Sequence, residues 1–365
     1  MQANIKFKEE DIISNLTSIY QLNGYSTFKM NKFEEYDLYS KNKDFLISEE
    51  VITFTDTNGK LMALKPDVTL SIIKNNNANG SLIRLFYNEN VYRVSKGTSS
   101  FKEIMQSGIE CIGDIDEYAI LEVLTLACKS LNTISPSYVL DISSLDILES
   151  ILSNLVLDYQ TKKLVLKAIE EKNINELEKI LELYEIDNEY SKYLIKLLSL
   201  PSSISLALPI IKEIAYSLNE GDKYEMLYTI LNDMKAYNIR IDFSVVSNLN
   251  YYNGIVFKGF IEGIPTSVLS GGQYDPLMKR MKKKDKGIGF AIYLDTISFL
   301  CERKDYDVDE MIIYSSYSPF LNEYVSKQTS LNKKIFVCKK INPKIKYRRL
   351  VEIKDSEVII REENA

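Results

Sequence analysis

The sequence predicts an α+β protein in which an antiparallel sheet is interrupted by a long helical segment. Two pairs of β-type runs separated by turn residues lie at 51–65 and 87–113. Residues 144–237 then hold four to six helical patterns and no clear strand, and β-type runs return from Ile239. At 365 residues the chain is longer than one domain usually needs, so two or three domains are expected.

Local signals place the elements of the first part. Apolar residues at helical spacing, an Asn58-Gly59 turn and a proline at a helix start support them. The expected elements are a helix over 8–23, a hairpin of strands 51–55 and 61–65, a helix from Pro66, a hairpin over 87–113, a helix over 116–131 and a strand over 138–142.

The hairpin at 87–113 carries one polar face. Lys96 to Ser100 form its turn, and Gln106, Gly108 and Glu110 share a face of the second strand. An amide, a glycine and a carboxylate favour the floor of a site for a small polar ligand, where Gly108 lets the ligand come close. A solvated face of an antiparallel sheet agrees equally well with this hairpin alone.

The later part of the chain returns to β structure. The expected elements are strands in 240–247, 254–263 and 265–270, a glycine turn into a helix over 270–281, a strand over 286–294, a helix capped by Asp295 and a small α/β segment after 304. The predicted division is a core in two parts, 1–143 and 238–303, a helical insert over 144–237 and a C-terminal segment over 304–365.

Composition excludes several function classes. The chain has no histidine, so Ser–His or Cys–His catalysis and HExxH zinc sites are impossible. Four cysteines without a CxxC pair favour free thiols in a reducing cytosol over a zinc site. No run of about 18 apolar residues and no signal peptide is evident. A cytoplasmic protein without metal or cofactor is expected.

Charge adds one open question. The net charge of −6 argues against a surface made throughout for nucleic acid. Residues 333–349 nevertheless contain eight basic residues and no acidic one. A solvated edge is the default interpretation of such a run, and binding to an anionic partner is the alternative.

Five stretches, in order, resemble the catalytic core of the histidyl-tRNA synthetase family. They are LMALKPDVT at 61–69, the hairpin at 87–113, NLNYYNGIVF at 248–257, SGGQYDPL at 270–277 and GIGFAIYLD at 287–295. Each is weak alone, and five in register are specific. The resemblance implies a class II aminoacyl-tRNA synthetase core, with a six-stranded antiparallel sheet flanked by helices.

The resemblance also implies a histidine pocket. In this family the pocket is lined by residues that match Asp67, Thr69, Arg93, Gln106, Glu110, Tyr251 and Tyr252. Carboxylates can pair with an α-ammonium group and accept imidazole N–H groups, and the tyrosines provide flat walls with hydroxyl tips.

Departures from the family pattern concern ATP. Ser247 stands where the family has an arginine that assists attack on ATP, and Asn250 replaces the acid that follows. Thr296 occupies the position where the third motif of the family has an arginine, and Ser95 replaces the acidic residue two positions after Arg93. Losing one such charge typically costs about 10²-fold or more in rate. Adenylation is therefore not expected.

In combining a histidine pocket with an altered ATP site, the chain resembles the regulatory subunits of ATP phosphoribosyltransferase. The chain length, the helical insert and the LALRPD-like and SGGRYD-like motifs carry this resemblance. It implies a homodimer that assembles with a short-form catalytic subunit, as a hetero-octamer, and is required for its activity. It also implies feedback inhibition by L-histidine in the first step of histidine biosynthesis. A histidine-free composition suits such a role.

Several alternatives stay open. Histidine could bind in the pocket above or nearer a subunit interface. The stretch TFKMNKFEEYDL lacks the proline that the first class II motif usually carries at its dimer face. A divergent histidyl-tRNA synthetase or another amino-acid-activating enzyme is the rival function. A tRNA-binding module that uses 333–349 is a third class, although no tRNA binding is expected.

Overall fold

A long antiparallel sheet organises the larger part of the chain. The computed structural model describes residues 9–43, 46, 51–94, 100–246, 251–297, 306–354 and 356–364. The strands in these ranges are β1 Ser26–Thr27, β2 Phe33–Glu35, β3 Thr53–Thr55, β4 Leu61–Leu64, β5 Ile83–Val94, β6 Phe101–Gly113, β7 Tyr138–Ser144, β8 Ile239–Ile241, β9 Asn253–Ile261, β10 Leu269–Gln273, β11 Lys286–Tyr293, β12 Val308–Tyr314, β13 Ile335–Cys338, β14 Tyr347–Lys354 and β15 Glu357–Glu363.

Helices connect and cover these strands. Those in the described ranges are α1 Glu9–Leu22, α2 Tyr36–Ser40, α3 Thr69–Asn75, α4 Glu117–Ile134, α5 Leu145–Asn154, α6 Tyr159–Glu170, α7 Ile174–Leu183, α8 Glu189–Leu198, α9 Ile204–Ser217, α10 Gly221–Asp233, α11 Asp275–Arg280, α12 Leu294–Ile297 and α13 Pro319–Ser330. The chain divides into two compact units, Met1–Cys301 and Glu302–Ala365. In the described residues no helix is both long and apolar enough to span a bilayer.

The main sheet confirms the predicted fold class and extends it. Over the described part of the first unit, eight strands form one sheet in the order β1-β5-β6-β11-β10-β9-β7-β8. The six central strands pair antiparallel. The short strands β1 and β8 add in parallel at the two edges. The sheet is therefore mixed, with the predicted six-stranded antiparallel sheet at its centre.

The hairpin of β5 and β6 is the longest pairing of this sheet. Its register runs from Val94 opposite Phe101 to Ile83 opposite Ile112. Residues 96–99 of the predicted turn over 96–100 lie outside the described residues. The solvated-face interpretation is wrong, because Gln106 and Glu110 are each only 3% exposed. Both faces of β6 are buried from Gln106 to Gly113, so Gln106 and Glu110 lie inside the protein.

Two apolar clusters cover the two faces of the sheet. One joins α1, α4 and the face of β6 that carries Ile109 and Cys111, with Leu16 and Leu124 fully buried. The other joins α3, α11 and the opposite face, and includes Tyr251 and Tyr274. Burying a leucine side chain contributes about 1.5–3 kcal/mol. The predicted helices at 8–23 and 116–131 therefore form, and Asp116 caps α4 by accepting the N–H of Ala119 at 2.8 Å.

The predicted hairpin at 51–65 forms and gains a third strand. In the described residues β2, β4 and β3 make a small antiparallel sheet. The helix expected from Pro66 begins instead at Thr69. The reason is local: the Asp67 carboxylate accepts the Leu70 N–H at 2.9 Å, as a helix-capping side chain does, so residues 66–68 precede the helix.

The predicted helical segment packs on the sheet. Between β7 and β8 the described chain forms the six helices α5 to α10. Their apolar faces, with Ile169 and Ile211 fully buried, belong to the same cluster as α1 and α4. Pro209 lies inside α9 rather than between helices. A separate insert domain over 144–237, like the other predicted boundaries, stays a prediction.

Three expectations for the second half are wrong in detail. The strand predicted over 240–247 is only three residues long, because Asp242 accepts the Ser244 N–H and hydroxyl and bends the chain. The glycines of SGGQ belong to β10 rather than to a turn. Asp295 is not a helix cap, because α12 begins at Leu294 and the Asp295 carboxylate accepts the Met105 N–H at 3.1 Å.

The C-terminal unit holds a small sheet in the order β13-β12-β14-β15, with α13 following β12. Its buried acid is Glu310, 2% exposed. Lys333 and Arg349 approach the Glu310 carboxylate at 3.0 and 3.6 Å. The ends of the basic run are therefore partly neutralised within this unit.

Candidate functional site

A cavity of about 470 Å³ opens on the face of the sheet that carries the polar residues of β6. All of the residues predicted for the histidine pocket line it: Asp67, Thr69, Arg93, Gln106, Glu110, Tyr251 and Tyr252. They come from the segment before α3, α3 itself, both strands of the β5–β6 hairpin and the two residues that precede β9. The structure thus brings together residues that are up to 185 positions apart, from Asp67 to Tyr252.

Glu110 is the most deeply buried acid of the cavity. Its Oε1 accepts the Thr69 hydroxyl at 2.6 Å. Its Oε2 is buried without a hydrogen-bond partner among the described residues. Burial raises the pKa of Glu110 to about 8; the hydroxyl groups of Thr69 and Tyr274 partly oppose that rise, and the charge of Asp67 adds to it. The carboxyl group therefore has one oxygen available to a ligand and titrates near neutral pH.

A glycine on the neighbouring strand makes room for this carboxyl group. Gly289 of β11 lies opposite Glu110 of β6. A Cβ at Gly289 would be 2.1 Å from Glu110 Oε2. Any side chain at this position would therefore displace the carboxylate.

Asp67 and Arg93 lie together at another part of the wall. Burial raises the pKa of Asp67, and the Leu70 N–H and the charge of Arg93 partly offset that rise. The Arg93 Nε donates to the carbonyl oxygen of Pro66 at 3.1 Å. The guanidinium is thereby tied to the backbone beside Asp67, which places a cation and an anion on the same cavity wall.

The tyrosines supply the predicted flat walls. The rings of Tyr251 and Tyr252 are 4.4 Å apart, and Tyr274 meets Tyr251 edge-on at 6.3 Å. Burial raises the pKa of all three hydroxyls well above 10, so they stay neutral donors. The Tyr274 hydroxyl is buried beside the Glu110 carboxyl group, and Tyr274 lines the same cavity.

The expectation for Gly108 is wrong. Tyr87 lies opposite Gly108 in the hairpin, and a Cβ at Gly108 would be 2.5 Å from the Tyr87 hydroxyl. Tyr87 is 2% exposed. The space above Gly108 is therefore filled by a tyrosine of the neighbouring strand rather than left for a ligand.

Sequence reasoning missed several lining residues. Lys258 of β9 and Glu170 at the end of α6 add one charge of each sign. Ser270 and Tyr293 share a hydrogen bond of 2.6 Å at the wall. A lysine inside the apolar run GIVFKGF was a signal that could have identified Lys258. Nothing in the sequence points to Glu170, because its approach depends on how α6 packs.

The residues expected at an ATP site are only partly described. The Thr296 hydroxyl donates to the carbonyl oxygen of Tyr293 at 2.6 Å, within its own helical turn. Ser95, Ser247 and Asn250 lie outside the described residues. The loss of adenylation chemistry therefore remains a prediction.

The six antiparallel strands and the cavity on their face define a protein with a class II aminoacyl-tRNA synthetase core. The family model described as histidyl-tRNA synthetase matches residues 5–297. The ATP phosphoribosyltransferase regulatory subunit of Caldanaerobacter subterraneus subsp. tengcongensis is 31% identical over 306 residues, 81% of this chain and 79% of the relative. The chain belongs to the histidyl-tRNA synthetase family and, within it, to the ATP phosphoribosyltransferase regulatory subunits.

Two solved structures share the fold. One is an ATP phosphoribosyltransferase regulatory subunit/histidyl-tRNA synthetase from Bacillus halodurans, with a TM-score of 0.79, 20% identity and coverage of 94% of this chain and 93% of that chain. The other is the ATP phosphoribosyl transferase (HisG:HisZ) complex from Thermotoga maritima, with a TM-score of 0.61 and 20% identity. That match covers 78% of this chain and 97% of that chain.

Proposed function

We propose that this chain is a non-catalytic regulatory subunit of ATP phosphoribosyltransferase that binds L-histidine in the cavity described above. The chain would assemble with a short-form catalytic subunit and be required for that subunit's activity. The observation that carries the histidine proposal is the convergence of all seven predicted residues on one cavity, in a chain of this family. Homodimerisation through the class II core and a hetero-octamer complete the proposal.

The charges of the cavity suit a free amino acid. Asp67, Glu110 and Glu170 can accept hydrogen bonds from an ammonium group and from imidazole N–H groups. Arg93 and Lys258 can bind the α-carboxylate. A volume of about 470 Å³ lies within the usual range for small-molecule sites. A zwitterion with a polar ring meets these requirements better than a neutral or purely anionic ligand.

Feedback inhibition requires that histidine bind two states of the assembly with different affinities. A coupling free energy of about 1–3 kcal/mol, or 5- to 150-fold in affinity, is typical for such effects. The histidine concentration needed for inhibition follows the affinity of the inhibited assembly for histidine. A substitution that weakens histidine binding in the cavity should therefore shift inhibition to higher histidine concentrations by the same factor.

Reconstitution with the catalytic subunit tests the proposal. Turnover is measured for the catalytic subunit alone, with this chain and with its Glu110→Gln variant, over a range of histidine concentrations. We expect this chain to raise turnover, histidine to inhibit it, and the variant to keep the activation but need more histidine. A chain that alters neither turnover nor inhibition would refute the regulatory function. Inhibition that the variant leaves unchanged would instead place histidine elsewhere, nearer a subunit interface.

The rival enzymatic function has its own test. Histidine-dependent exchange of pyrophosphate into ATP by the purified chain would show amino-acid activation, and it would overturn the non-catalytic proposal.

A further inference from the structure

A second concave region of the first unit has a composition unlike the histidine cavity. Three loops form it: Asn77–Gly80 after α3, Gly113–Asp114 at the end of β6, and Lys282–Lys286 between α11 and β11. We call it the lysine concavity. Its volume is about 740 Å³. In the described residues its lining has no aromatic or apolar side chain, so any ligand would be recognised by charge and hydrogen bonds alone.

Positive charge dominates this concavity. Lys282, Lys283, Lys284 and Lys286 line it together with the two acids Asp114 and Asp285. This local positive charge contrasts with the net charge of −6 of the whole chain. Clefts lined by one sign of charge concentrate ligands of the opposite sign.

Hydrogen bonds fix the three loops relative to one another. The Lys283 ammonium donates to the carbonyl oxygen of Asn76 at 2.9 Å and also to the side chain of Asn77. The Gly80 N–H donates to Asp285 Oδ1 at 3.0 Å. Lys286 pairs with Gly113 in the register of β11 and β6. The loops therefore form a preorganised cradle, which lowers the ordering cost of binding.

The remaining ammonium groups are available. Lys282, Lys284 and Lys286 are exposed, and within the described part of the chain none of them forms an ion pair. One of the two acids, Asp285, already accepts the Gly80 N–H. Three ammonium groups around one concavity can contact adjacent phosphate groups of a single ligand, whereas a monoanion would use only one of them.

We propose that the lysine concavity binds a small anion that carries two or more linked phosphate groups. The absence of stacking side chains among its lining residues disfavours single-stranded nucleic acid, which needs aromatic platforms. The site is distinct from the histidine cavity. The two linings share no residue, although Gly289 of the histidine cavity lies only three positions along β11 from Lys286, about 10 Å at about 3.3 Å per residue.

Calorimetric titration of the full chain with sodium tripolyphosphate at low salt tests this proposal. The test variant is Lys282→Gln, Lys284→Gln, Lys286→Gln. The matched control is Lys162→Gln, Lys163→Gln, Lys179→Gln, which removes the same charge from exposed residues of α6 and α7. We expect the test variant to bind about tenfold to hundredfold more weakly than the native chain, because each exposed ion pair contributes modestly, and the control to bind like the native chain.

The remaining outcomes are equally informative. Orthophosphate should bind far more weakly than tripolyphosphate, and a nucleoside triphosphate should bind about as well, because only the phosphate chain is recognised. No tripolyphosphate binding by the native chain would overturn the proposal, as would equal losses in both triple variants. Nucleoside triphosphate binding that survives the test variant would also overturn it. Circular dichroism verifies that each variant is folded.

Discussion

Replacing Glu110 by glutamine should uncouple histidine binding from the release of a proton. With a pKa of about 8, the Glu110 carboxyl is about nine-tenths protonated at pH 7 in the free protein. A ligand ammonium or imidazole N–H bound to its free oxygen favours the ionised form. Binding at pH 7 should therefore release about 0.9 proton from Glu110, at a cost of about 1.4 kcal/mol, or tenfold in affinity.

Calorimetry in buffers of different ionisation enthalpy measures this proton. Glutamine keeps the shape of the side chain but cannot ionise, and the titration of histidine itself is common to both proteins. Between pH 6 and 8 the affinity of the native chain should therefore rise more steeply than that of Glu110→Gln, by up to about tenfold per pH unit. Equal proton release and parallel pH profiles, with histidine still bound, would refute the reasoning.

The same group affects stability in the absence of histidine. The pKa of Glu110 rises from 4.5 to about 8 on folding because of burial. Between these values the folded chain keeps a proton that the unfolded chain has lost, so the free energy of unfolding falls as pH rises. The fall ends above pH 8, where both states are ionised. Denaturant unfolding should show a steeper decrease from pH 5 to 8 for the native chain than for Glu110→Gln.

Two further substitutions test the walls of the cavity. Glu170→Gln should weaken histidine binding by about 1.5- to 5-fold, as expected for the loss of an exposed charge. The neighbouring Glu171→Gln is the control, because Glu171 pairs with Lys167 on the surface and should not affect binding. Equal calorimetric affinities for the two variants would remove Glu170 from the site. Gly289→Ala should lower the melting temperature and reduce histidine affinity at least about tenfold, because its Cβ would overlap the Glu110 carboxylate; unchanged melting and affinity would contradict the geometry.

The antiparallel sheet and the helical segment were predictable from the sequence because their patterns are local. Alternation along 87–113 gives a hairpin, and apolar spacing gives the helices α1 and α4. The seven pocket residues came from resemblance, since no local pattern connects Asp67 with Tyr251. The polar face of β6 was ambiguous until burial was known, because a strand with one polar face looks the same in solvent and over a cavity.

The errors share a physical cause, which is contact between distant segments. Gly108 faces Tyr87 only through the register of the hairpin. Gly271 lies in a strand between Phe257 and the Gly289 carbonyl, both within 2.6 Å of where its Cβ would lie, so the position has no room for a side chain. Glu170 reaches the cavity only through the tertiary packing of α6. Propensities of short segments carry no information on these approaches.

The strand order has a consequence for synthesis of the chain. β6 ends at Gly113, but β11, its neighbour toward the centre of the sheet, ends only at Tyr293. Translation at 5–20 residues per second separates these two events by roughly 9 to 36 s. During that interval one edge of β6 has no strand partner, although residues Gln106–Gly113 of β6 are all buried in the finished sheet. The nascent chain therefore exposes an aggregation-prone edge until the last third of the first unit is made, and the ligand cavity is among the last features to form.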